Sequence, residues 1–153
     1  MSGMATLLQG SNFNAVVQTL AAGTVYSLTN AYATLDFGTT DPTIVLNKVG
    51  RWLIFADVQL TYTGATVVAE TASVKLRRTN NTAADITTER VIDLPVSTTL
   101  TNTYGSFNLP VANVTTANVD DSISIQAKVS AALSAGTIDA TAAHLTALYL
   151  GPN

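Results

Sequence analysis

The sequence predicts an all-β fold, a sandwich or barrel of antiparallel strands, on three observations. Runs rich in β-branched and aromatic residues recur along the chain. Turn-forming residues separate them at about the 8–12-residue interval of sandwiches and barrels. No helical apolar period persists over a useful length.

The elements follow in order. Residues 1–20 read either as an extended N-terminal arm laid on a partner or as a first strand through AVVQTL (15–20), and residues 21–153 form the main domain. The first 35 residues contain no charged side chain, Asp36 being the first. TVYSLTNAYATLDF (24–37) is rich in strand formers, TIVL (43–46) is short and apolar, and Lys48–Gly50 turn into GRWLIFADVQLTY (50–62). In this last run Trp52, Ile54, Ala56, Val58, Leu60 and Tyr62 share one face. The other face carries Leu53 and Phe55 before turning polar at Asp57 and Gln59, whereas a half-buried strand calls for polar residues there.

ASVKLRR (72–78) alternates, and TNN (79–81) supplies turn chemistry. TERVIDLPV (88–96), TYGSFNLPV (103–111), SISIQAKVS (122–130) and HLTALYLG (144–151) read as further strands. The Ala-rich KVSAALSAGTIDATAAHL (128–145) has helix-compatible composition, but Gly136 interrupts it and Thr137, Ile138 and Thr141 favour strand, so a hairpin is expected. The prolines, Pro42, Pro95, Pro110 and Pro152, are expected at run boundaries or edges, where a missing donor does little harm.

Composition narrows the function. A chain of 153 residues fits one domain. With no cysteine there is no disulfide, thiolate metal site or thiol nucleophile, and the single histidine, His144, rules out histidine-clustered metal sites. Charged residues make up 11% of the chain against about 25% in ordinary soluble domains, as expected of a surface partly hidden by partners. The apolar runs fall far short of the ~20 residues of a membrane-spanning helix, so no membrane is expected as partner. The net charge of −3 lacks the basic footprint of a nucleic-acid binder, and Lys75, Arg77 and Arg78 read as a solvated strand end with Glu70 and Asp85 nearby.

No enzyme and no cofactor is expected. Asp120 and Asp121 are adjacent at a turn, Glu89 and Asp93 flank a strand edge, and no Gly-x-Ser-x-Gly elbow is present. Asp36, Asp41, Asp120, Asp121 and Asp139 lack the ligand spacing of a calcium loop, so no metal is expected either. MSGMATLLQG lacks the cationic segment and apolar core of a secretion signal, so the asparagine sequons at Asn80 and Asn113 read as chance.

The ordered set of pieces resembles the jelly-roll superfamily of tumour necrosis factor and the complement globular head. Gly50, Trp52 and the run LIFADVQL (53–60) match a family pattern in which a glycine opens a strand with an aromatic two residues on. LDFGTTDPTIVLNKVGRW (35–52) resembles the approach to that strand in bacteriophage members. VDDSISIQA (119–127) resembles an acidic turn into the penultimate core strand, with Asp120 where the family has glycine, and HLTALYLG resembles the final strand. The resemblance covers residues 24–151 and implies a jelly-roll sandwich of two antiparallel sheets, assembled as a homotrimer with one sheet facing a three-fold axis. It implies that Leu53, Phe55, Asp57, Leu145 and Ala147 face that axis, while Trp52, Ile54 and Val58 fill the space between the sheets. The alternative is that the N-terminal arm of the same chain covers Leu53 and Phe55.

A non-enzymatic binding protein is therefore expected: a homotrimeric bacteriophage capsid decoration protein, on the virion surface after assembly in the host cytoplasm. Its partners are its own copies and the major capsid protein or another virion protein. The charge-poor N-terminal segment, through Leu7, Leu8, Phe13 and Val16, is expected to touch the capsid. The alternative function is the receptor-binding tip of a phage fibre or spike, with loops 79–88 and 97–104 carrying recognition.

Overall fold

The computed structural model describes residues 15–19, 25–38, 41–64, 70–80, 83–87, 89–93, 103–130 and 136–152, with the backbone alone for 15–19, 63–64 and 103–113. Eleven strands lie among these residues: β1 (Ala15–Thr19), β2 (Tyr26–Ser27), β3 (Ala33–Thr34), β4 (Thr43–Leu46), β5 (Gly50–Gly64), β6 (Thr71–Arg78), β7 (Ala84–Asp85), β8 (Arg90–Asp93), β9 (Thr103–Ala117), β10 (Asp121–Val129) and β11 (Thr137–Gly151). They form two antiparallel sheets. The first runs β1–β11–β5–β9, with β2 also on β11; the second runs β3–β10–β6–β7, with β4 also on β10 and β8 also on β6.

Most connections leave one sheet for the other, which corrects two local expectations. Residues 24–37 are not one strand. Leu28 N–H still donates to Ile138 of the first sheet at 2.8 Å, whereas Leu35 N–H donates to Ile125 of the second at 3.0 Å, so the segment is spent on crossing over. Residues 128–145 are not a hairpin, because β10 and β11 belong to different sheets. Pro110 lies inside β9, the edge strand of its sheet, as the expectation of a boundary or edge position allows.

Period-2 alternation fills the space between the sheets. Trp52, Ile54, Ala56, Val58, Leu60 and Tyr62 of β5 are buried, as are Ala72, Val74 and Leu76 of β6 and Ile123, Ile125, Ala127 and Val129 of β10. Each large apolar side chain buried there contributes about 1.5–3 kcal/mol. The Trp52 indole donates to Lys48 O at 3.1 Å, and its ring meets Tyr149 with centroids 5.1 Å apart.

Strand β11 departs from simple alternation. Its pairing with β5 shifts between Ala140 and Ala142, a β-bulge at Thr141. Before the bulge the even positions Ile138 and Ala140 point inward; after it the odd positions Ala143, Leu145, Ala147 and Tyr149 do. A one-residue slip exchanges the two faces of a strand.

Between β9 and β10, Asp120 adopts φ 64° in the position where the family pattern has glycine. Aspartate tolerates this left-handed conformation better than most side chains. The turn is tied down by Asp120 N–H donating to Leu46 O at 2.8 Å. Asn118 N–H donates to the Asp121 carboxylate, also at 2.8 Å. The Asp120–Asp121 pair is thus one exposed residue and one wholly buried residue, set by the turn.

Candidate functional site

The outward face of the first sheet follows from register. Leu53 of β5 lies between Leu148 of β11 and Val114 of β9, and Leu148 in turn pairs with Ala15 of β1. In the next row Phe55 lies between Thr146 and Ala112, and in the one after it Asp57 lies between His144 and Pro110. Phe55 and Val114 remain 44% and 46% exposed, and Leu53 and Leu148 are half-buried. An apolar band therefore crosses the sheet, with Asp57, Gln59 and His144 beyond it. At this polar end Asp57, Gln59, Ala142 and His144 line a concavity of about 370 Å³.

The expected interface residues divide. Leu53, Phe55 and Asp57 share the outward face. Leu145 and Ala147 do not; both are fully buried between the sheets, opposite Ala56 and Ile54. The last strand was assigned the wrong parity, and its outward residues here are His144, Thr146 and Leu148. Val114 and Leu148 were missed because register with Leu53, rather than any local pattern, places them on the band. Leu7, Leu8 and Phe13 lie outside the described residues, and Val16 is placed by backbone alone, paired with Ala147. Strand β1 extends the sheet at its edge, so residues 15–19 lie beside β11 in the plane and leave Phe55 open.

Charges elsewhere serve structure. Asp85 binds Lys75 at 2.8 Å and Arg77 at 2.9 Å, and the hydrogen bond from Lys75 leads in holding its carboxyl below the usual range. The Tyr32 ring has Lys75 Nζ 3.9 Å and Lys128 Nζ 4.7 Å from its centroid, and its hydroxyl donates to Glu89. Burial, then the Glu89 bond, pushes this phenol above its ordinary value. Arg78 Nε stands 3.3 Å from the buried Asp121 carboxylate. Lys75, Arg77 and Arg78 are thus paired with carboxylates. Among the described residues no three His, Cys, Asp or Glu side chains converge on a metal-sized site, and no described helix is long and apolar enough to cross a membrane.

This architecture defines a two-sheet β-sandwich of jelly-roll type that carries, among the described residues, an apolar band on the outward face of one sheet. No protein-family model matches the chain, and no curated protein matches it by sequence. Solved structures do. The Eiger tumour necrosis factor of S. frugiperda is similar with a TM-score of 0.54 at 12% identity, over 91% of this chain and 94% of that one. A chain of infectious bursal disease virus, Gx strain, is similar with a TM-score of 0.51 at 12% identity, over 92% of this chain but 34% of that one. The likeness is one of fold.

Proposed function

We propose that the protein is a non-enzymatic structural and binding protein that forms a homotrimer through the outward face of the first sheet. Its role is that of a bacteriophage capsid decoration protein, seated on the major capsid protein or another virion protein. The observation that carries this reading is the band of Phe55, Val114, Leu53 and Leu148, apolar residues open to water on a regular sheet face. Contiguous apolar surface of this kind marks an interaction site, and each Phe or Leu covered by another copy contributes about 1.5–3 kcal/mol. The resemblance to tumour necrosis factors supports three-fold assembly through this sheet, and the low charge content supports a hidden surface. Three copies on a three-fold site of a shell engage it together, so weak single contacts sum to firm attachment.

Light scattering after gel filtration tests the assembly. The chain is expected at the mass of three subunits and a Phe55→Asp variant at that of one, because three further carboxylates inside the apolar band, away from the polar end that holds Asp57, cannot be buried together at an axis. A monomeric wild-type chain would refute the reading. Capsid attachment is tested by deleting residues 1–14, which removes Leu7, Leu8 and Phe13 and spares β1. The shortened chain is expected to keep its trimeric mass and lose co-sedimentation with phage heads; retained co-sedimentation would move the contact elsewhere.

A further inference from the structure

His144 is the one histidine of the chain, and it is exposed. It stands directly across from Asp57, on the same face as Phe55 and one row further along. Successive outward residues of a strand are about 6.8 Å apart, and directly opposed side chains have Cβ atoms about 4.5–5.5 Å apart. His144 and Asp57 are therefore cross-strand neighbours at the polar end of the band. The hollow there has room, because Ala142 presents only a methyl group and the bulge at Thr141 opens the ladder beside Gln59.

One chain offers too few donors for a metal. Copies meeting along the Phe55 band change that, because the row that follows on the same two strands is carried to the same axis. We propose that the three His144 imidazoles of the homotrimer bind a single first-row divalent ion of the zinc type on the three-fold axis, each ring oriented by the Asp57 carboxylate beside it. The inference rests on the trimeric reading above, and the site is incomplete without the partner copies. The donor chemistry fits: imidazole suits zinc, three histidines with a fourth position open is a familiar zinc set, and a carboxylate beside a ligating histidine fixes its tautomer and raises its basicity.

The test is calorimetric titration of the metal-free, full-length chain with zinc chloride, with light scattering on the same samples. One zinc per three chains is expected. His144→Asn is expected to abolish uptake, and Asp57→Asn to weaken it by roughly 10–100-fold, uptake being counted per trimer in samples that light scattering shows to be trimeric. A trimer that takes up no zinc, or one whose uptake survives His144→Asn, overturns the site and leaves the assembly standing. A chain that stays monomeric with and without zinc overturns the assembly, and the site with it.

Discussion

Replacing Asp121 with alanine is expected to cost about 3–5 kcal/mol of unfolding free energy, the range for removing one member of a buried ion pair. The Asp121 side chain is fully buried, and its partner Arg78 is only 17% exposed. Arg78 also donates to Thr116 O at 2.8 Å, which holds the guanidinium in place when the carboxylate is gone. The variant thus leaves a cation with little water and no counter-charge. It also leaves Asn118 N–H without its 2.8 Å acceptor at the turn into β10. Urea unfolding at a fixed protein concentration measures the loss as a fall in midpoint. Arg78→Leu added to Asp121→Ala is expected to recover part of it, because an apolar pair strands no charge. An unfolding free energy within about 0.5 kcal/mol of wild type, the scale of an ordinary surface substitution, would show that this pair is solvated.

That pair also shows where sequence reasoning stops. Strands β5 and β10 were legible because their alternation is strict: the even positions from Trp52 to Tyr62 and the odd positions from Ile123 to Val129 are all buried. Leu53 and Phe55 stood out for the same reason, as apolar residues on the face where alternation calls for polar ones. Strand β11 was not legible. Both of its faces carry apolar residues, Leu145, Ala147 and Tyr149 on one and Leu148 and Leu150 on the other, and the bulge at Thr141 resets the parity without a proline or glycine to mark it. Val114 sits in a Thr- and Asn-rich run and gains its meaning from register with Leu53. Arg78 read as part of a solvated strand end because the residue that neutralises it, Asp121, is distant in sequence and comes from the neighbouring strand. Period and turn chemistry are local and can be read along the chain; register, bulges and ion pairs are settled only when strands meet.

Gly50→Ala is the second large effect expected, at roughly 3–5 kcal/mol, from a strained backbone of about 1–3 kcal/mol and overpacking of similar size. Gly50 has φ 143°, a conformation that side-chain-bearing residues rarely adopt. A Cβ there would lie 2.4 Å from the Gly151 carbonyl oxygen and 2.8 Å from Cε2 of Tyr149. The ring can swing aside, but the carbonyl oxygen belongs to the backbone of β11, so the end of that strand must move. Tyr149 is not free to yield cheaply either. It packs on Trp52, receives Lys48 Nζ at 5.1 Å from its ring centroid, and donates its hydroxyl to Val49 O at 3.1 Å. Displacing it loosens the core at its largest side chain, so the near-ultraviolet dichroism of the single tryptophan is expected to weaken along with the urea midpoint. Tyr149→Phe separates the causes: it loses one hydrogen bond, worth about 0.5–1.5 kcal/mol, and leaves the approach of Gly50 to Gly151 untouched. If Gly50→Ala costs no more than Tyr149→Phe, close passage of the two strands is not what the glycine provides, and the Gly50-x-Trp52 pattern reflects the Trp52 packing alone.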